Sequence, residues 1–148
     1  MSTHHIIQSG NWQMEIPADW EEPDPDSDRL YFESADGEKG LYLLSIHYEA
    51  GEDAHSVADE LLALDAAGWE DDPSYEWQIP CNERLETDAG LIHYFERYDP
   101  VLQYRIVTKL LVRLPVVVRG TFHDYACTDH ETSRVWFSRM IASLELHA

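Results

Sequence analysis

The sequence predicts an α+β fold, a mainly antiparallel sheet of about six to seven strands with two helices packed on it. Three observations carry this. Residues 90–123 hold three strand-like runs, Leu91–Tyr98, Tyr104–Leu114 and Val116–His123, parted only by Asp99-Pro100 and Leu114-Pro115. Asp36-Gly37 sits between two further runs, LYFES and LYLLSIHYE, a strong local hairpin signal. Two segments instead repeat apolar residues at helical spacing: Val57, Ala58, Leu61, Leu62 and Leu64, and Trp136, Phe137, Met140, Ile141 and Leu144.

In chain order, residues 1–10 are polar and read as a frayed end or an edge lead-in, ahead of a core spanning 11–146 of one domain, 1–148. Asn11–Pro17 alternates Trp12, Met14 and Ile16 against Gln13 and Glu15, a short strand stopped by proline. In Leu41–Glu49 both faces are largely apolar, which places that strand inside the sheet. The first helix begins near His55 or Ser56 and is closed by Gly68, with Trp69 opening an acidic connection. Tyr75–Ile79 and Arg84–Glu86 are strand pieces around an irregular Pro80–Asn82. Thr128, Asp129 or Thr132 caps the last helix, Glu131–Leu144. In Tyr104–Leu114, Tyr104, Ile106, Thr108, Leu110 and Val112 share one face, and Arg105, Val107, Lys109, Leu111 and Arg113 the other. The first face belongs to the core; the second turns its cations to solvent or a partner, or else pairs them across strands with acids such as Glu96.

Charge is the strongest compositional fact. The net formal charge is −19, and residues 1–100 hold 25 acids against Arg29, Lys39, Arg84 and Arg97. Phosphates meet repulsion over such a surface, so no nucleic-acid partner is expected, whereas a basic protein would be attracted and oriented. Acids concentrate at Asp19, Glu21, Glu22, Asp24, Asp26 and Asp28, and again at Glu70, Asp71 and Asp72. The DPDSD run fails as a calcium loop: from Asp24, position six is Arg29 instead of glycine and position twelve is Ala35 instead of glutamate. It reads as a solvated acidic loop. No secretory segment opens the chain and no run nears the ~18 apolar residues of a spanning helix, so a cytoplasmic location without membrane contact is the expectation. Cys81 and Cys127 lack CxxC spacing and are expected as reduced thiols.

No nucleophile elbow, phosphate loop, dinucleotide fingerprint or zinc-protease motif is present, so no catalytic residue, cofactor or metal site is assigned. His47, His93 and His123 fall on strands, and two of them meeting near Glu96 would supply a weak metal or acid–base site. A small-molecule- or metal-binding protein using those histidines is therefore the alternative to a protein-binding module.

Three stretches carry a family resemblance: Trp12-Gln13-Met14-Glu15-Ile16-Pro17-Ala18-Asp19-Trp20, the strand-to-helix passage Leu41–Gly68, and the terminal Met140-Ile141-Ala142-Ser143-Leu144-Glu145-Leu146. Together they resemble the Mog1/PsbP-like superfamily, which includes the DcrB-like and DUF1795 proteins. The resemblance implies a helix–sheet–helix sandwich and a non-catalytic binding role, since its members include a Ran-binding protein, photosystem II subunits and adaptor chaperones of type VI secretion. Some bacterial immunity proteins are similar in build. The expectation is an immunity or adaptor protein that holds a basic toxin or effector. The acids at 19–28 and 70–72 would steer the partner, exposed Trp20 and Trp69 anchor it, and Arg105, Lys109 and Arg113 add a cationic strand face.

Overall fold

The computed structural model describes residues 3–49, 51–70 and 72–147. Its elements run β1 (His4–Gln8), β2 (Trp12–Pro17), β3 (Leu30–Glu33), β4 (Lys39–His47), α1 (Ala54–Glu70), β5 (Gln78–Thr87), β6 (Gly90–Asp99), β7 (Tyr104–Arg113), β8 (Val116–Asp124), α2 (His130–Ser143) and β9 (Glu145–Leu146). Six strands form one sheet in the order β3-β4-β8-β7-β6-β5, antiparallel throughout. The lead-in expected at the start is a strand: β1 pairs with β2, and β2 with β9, in a separate three-stranded sheet that joins the two ends of the chain.

The period-two alternation of β7 and β8 sorts their side chains onto two faces, and both are covered. On one, Leu91, Leu110, Val112 and Val117 pack against Val57, Ala58 and Leu61 of α1. On the other, Leu41, Val107, Leu111, Val118 and Phe122 pack against Phe137 and Met140 of α2 and Trp12, Met14 and Ile16 of the small sheet. Each such side chain withdrawn from water contributes roughly 1.5–3 kcal/mol. The arrangement is thus the predicted sandwich, with the small sheet beside α2 as an addition.

Local chemistry sets the boundaries. Gly37 takes φ +74° in the β3–β4 turn, a conformation that glycine adopts without Cβ strain. Asp129 is the N-cap of α2, its carboxylate accepting from the Thr132 backbone N–H at 3.0 Å. Gly68 does not close α1: the helix runs on to Glu70 and carries Trp69 in its last turn. The two strand pieces expected around Pro80 are one strand, β5, with a register shift between Gln78 and Cys81.

Candidate functional site

The acidic loop is fixed at both ends and open between them. Pro17 ends β2, and Trp20 turns inward to stack on Trp136 of α2 at 6.0 Å. Glu21 then pairs with Glu33 at the edge of β3, its N–H donating to Glu33 O at 2.9 Å and its carbonyl accepting from Glu33 N at 2.8 Å. Asp19, Glu21, Asp24, Asp26 and Asp28 are exposed and Glu22 is half-buried. Trp20 is therefore not the exposed anchor expected of it: at 6 % exposure it belongs to the core, where the indole plugs the space under α2. The ring left outside is Trp136, 44 % exposed with the Lys39 ammonium 5.0 Å above it. Its neighbour Phe137 is the centre of the buried arc of α2, and a residue one step along a helix points about 100° away. That offset is the sequence signal that could have separated the two.

The second acidic stretch behaves differently. Trp69 is half-buried, not free to anchor a partner, because its indole is boxed edge-on by Tyr75, Trp77 and Tyr104, each at 5.9 Å. Asp72 is half-buried too and accepts from the Ser74 N–H at 2.9 Å. Asp71 and the side chain of Glu70 lie outside the described residues.

Of the two readings of the cationic strand face, pairing with Glu96 holds for Arg105, and an open, partner-facing surface needs correcting. Arg105 and Lys109 are each 3 % exposed and Arg113 is half-buried, so the first two are withdrawn from the surface and the third only partly reaches it. The reason lies in α2, which covers that face of β7. The Arg105 guanidinium donates to Glu96 at 2.6 Å and to Ser133 Oγ at 3.2 Å, and His130 adds a 2.5 Å contact to the same carboxylate. Lys109 Nζ donates to the carbonyls of Ile141 and Leu144, both at 2.8 Å, meeting the buried C-terminal end of the helix with the charge its dipole favours. Burial lowers the Lys109 ammonium to about 8, with Glu145 opposing the shift. Arg113 donates to the carbonyl of His147.

The remaining cations follow suit. Arg84 donates to Asp59 at 2.7 Å and to His93 Nδ1 at 3.0 Å, Arg97 lies 4.3 Å over the Phe95 ring, and Arg119 holds Asp65 at 2.6 Å. Burial still raises the Asp65 carboxyl above its ordinary range, with Arg119 and then Arg97 opposing. Arg134 pairs with Glu131 and Arg139 with Glu15. Nine of the ten Lys and Arg residues are thus occupied in contacts within the chain; the tenth, Arg29, is exposed at the end of the acidic loop.

The strand histidines do not converge. Registry places His123 opposite Gly40 and His47 opposite Val116, at opposite ends of the β4–β8 pair, while His93 lies two strands away opposite Leu110. His93 is held by Arg84 and Asn82, and His123 shares a 2.6 Å hydrogen bond with the Tyr104 hydroxyl. Burial pushes His123 down to about 4 and His93 below its ordinary value, so neither imidazole carries charge near neutrality. Glu96 sits on the opposite face from His93, turned to Arg105. Among the described residues no group of three His, Cys, Asp or Glu side chains is placed to hold a metal ion, and no helix is long and apolar enough to cross a membrane.

No family model matches the chain, and no curated protein does. Solved structures do. The solution structure of cyanobacterial PsbP (CyanoP) from Synechocystis sp. PCC 6803 superposes with a TM-score of 0.73 at 9 % identity, over 99 % of this chain and 94 % of that one. A crystal structure from Bacteroides thetaiotaomicron VPI-5482 superposes at 0.55 and 12 % identity, over 99 % of this chain, which spans 50 % of that longer one.

Proposed function

We propose that this chain, built on the Mog1/PsbP-like fold, is a non-catalytic binding module that captures a basic protein in the cytoplasm, as a bacterial immunity or adaptor protein of a secretion or toxin system does. The observation that carries the reading is the inward commitment of the cations. With Arg105, Lys109, Arg113, Arg119 and Arg84 turned to partners inside the molecule, the field outside is set by the carboxylates of the loop at 19–28 and its neighbours Asp36 and Glu38. Such a field accelerates encounter with a positive surface and fixes its orientation, within a Debye length of about 8 Å at physiological salt. Beside the loop, Trp136 offers the amphipathic ring that commonly anchors an interface, backed by Trp20 and Phe137.

Affinity capture from the source cell tests this. The chain is immobilised beside a variant carrying Glu21→Gln, Glu22→Gln, Asp24→Asn, Asp26→Asn and Asp28→Asn. A basic protein retained by the parent at low salt, released at moderate salt and lost with the variant is the expected result. If neither salt condition retains a protein partner on the parent chain, the reading fails.

A further inference from the structure

The free edges of the two sheets are not equally protected. Along the outer edge of β5, Pro80, the register shift after Gln78, and the charges of Glu83, Arg84 and Glu86 obstruct another strand. The outer side of β3, only four residues long, is taken by Glu21 through two backbone hydrogen bonds. β9 has two residues. β1 differs from all three. It has five residues, contains no proline, aspartate, glutamate, lysine or arginine, and pairs with β2 in unbroken register.

The direction of its backbone groups follows from that register. Ser9 N–H donates to Trp12 O and Ala18 N–H to Thr3 O, both at 2.9 Å, so the odd-numbered residues of this strand hydrogen-bond to β2. Alternation in an antiparallel pair then points the N–H and C=O of Ile6 and Gln8 away from β2, toward the outer edge. The Ile6 side chain is 62 % exposed. It borders a cavity of about 180 Å³ whose other walls are Gln13, Met14, Glu15, Ser143 and Glu145. Two carboxylates thus line the cavity: Glu15, paired with Arg139, and Glu145, which accepts from Gln13 Nε2 at 2.6 Å and lies within the field of Lys109.

We propose that β1 is a docking edge, on which an extended, basic segment of the partner protein adds as a further strand of the small sheet. This rests on the reading of the chain as a module for basic proteins, and it names the conformation in which the partner is held. A Lys or Arg of the incoming strand lays its stem over Ile6 and places its charge between Glu15 and Glu145. Across the β1–β2 ladder Thr3 O accepts from the Ala18 N–H, so the start of β1 lies one strand away from the acidic loop that opens at Asp19. A second copy of this chain suits the edge poorly. Two copies of net charge −19 repel, and pairing five residues falls far short of the ~1,000 Å² that a stable interface buries.

The test uses a nine-residue peptide alternating Arg with Val, and the same peptide with alternate amides N-methylated, each followed by fluorescence anisotropy against the full chain. N-methylation removes edge donors and keeps every charge, so binding is expected to weaken at least about tenfold. Ile6→Pro removes an outward N–H while sparing the ladder to β2, and is expected to weaken the unmethylated peptide by a similar factor with an unchanged circular dichroism spectrum. Equal affinity of the two peptides overturns the proposal even if the proline variant does not fold. So does absence of binding by the unmethylated peptide up to about 1 mM. A dimer in sedimentation that Ile6→Pro dissolves would assign the edge to a second copy and overturn it as well. Should the loop-neutralised variant alone lose the peptides, capture by charge stands and strand addition falls. If both peptide results come out as expected while no cellular protein is captured, the edge stands and the assignment of a basic protein partner falls.

Discussion

Consider Glu96→Met, which removes the carboxylate from beneath α2. Arg105, at 3 % exposure, would keep its 3.2 Å bond to Ser133 Oγ and lose the 2.6 Å bond to its counter-charge, and its Nε has no acceptor in the protein to begin with. An uncompensated buried charge of this kind costs about 3–5 kcal/mol. Out of a total stability of about 5–15 kcal/mol that is a large fraction. With a urea dependence of about 2 kcal/mol per molar, the unfolding midpoint falls by about 2 M. The double variant Glu96→Met/Arg105→Met leaves no charge behind and fills the same space with apolar atoms, so it should lie within about 1 kcal/mol of the parent or above it. Urea unfolding followed by tryptophan fluorescence reads both. A single variant that loses less than about 1 kcal/mol would mean the pair behaves like a solvated surface pair. A double variant that loses as much as the two single ones together would refute the reasoning outright.

Three further outcomes follow from the geometry. His123 has a folded pKa of about 4 against an ordinary 6.5, so its contribution is present above pH 6.5 and is lost as pH falls from 6.5 through 4. That swing is on the order of 3 kcal/mol, and His123→Gln should show a correspondingly shallower acid limb in unfolding titrations from pH 7 to 4. Gly90→Ala should destabilise by about 1–3 kcal/mol in thermal unfolding, since φ is +120° and an added Cβ would lie 2.5 Å from the Val112 carbonyl oxygen. Asp129→Ala removes the N-cap acceptor of α2 and should cost about 1 kcal/mol, with Asp129→Asn largely restoring it.

How far the sequence reaches depends on whether the deciding contact is local. Both helices, the Asp36-Gly37 turn and the three long strands β6–β8 are legible because periodicity and turn chemistry lie within a few residues. Asp129 was one of three possible caps, and only the backbone selected it. The failures share a cause. Period-two alternation places Arg105, Lys109 and Arg113 together on one side of β7, yet it cannot tell water from the end of a helix, and the carbonyls that receive Lys109 are 32 and 35 positions away. Trp20 and Trp69 read as exposed because acids follow them, whereas the rings that enclose them come from α2 and from β7 with the α1–β5 connection. β9 is too short to signal itself and exists only because β2 is there to pair with it. The solvated stretch at 23–29 is legible because it needs no distant residue to explain it, whereas its anchor, the bridge from Glu21 to Glu33, is not.

The dry pairs under the helices and the wet carboxylates outside them answer to ionic strength in opposite ways. Dissolved salt barely reaches Arg105 or Lys109, but it quiets the mutual repulsion of the outer acids, and for the same reason it dims their pull on anything positive. Adding sodium chloride should therefore raise the melting temperature while it weakens the attraction of the outer acids for any positive surface, so that the medium that steadies the fold is the one in which its field reaches least.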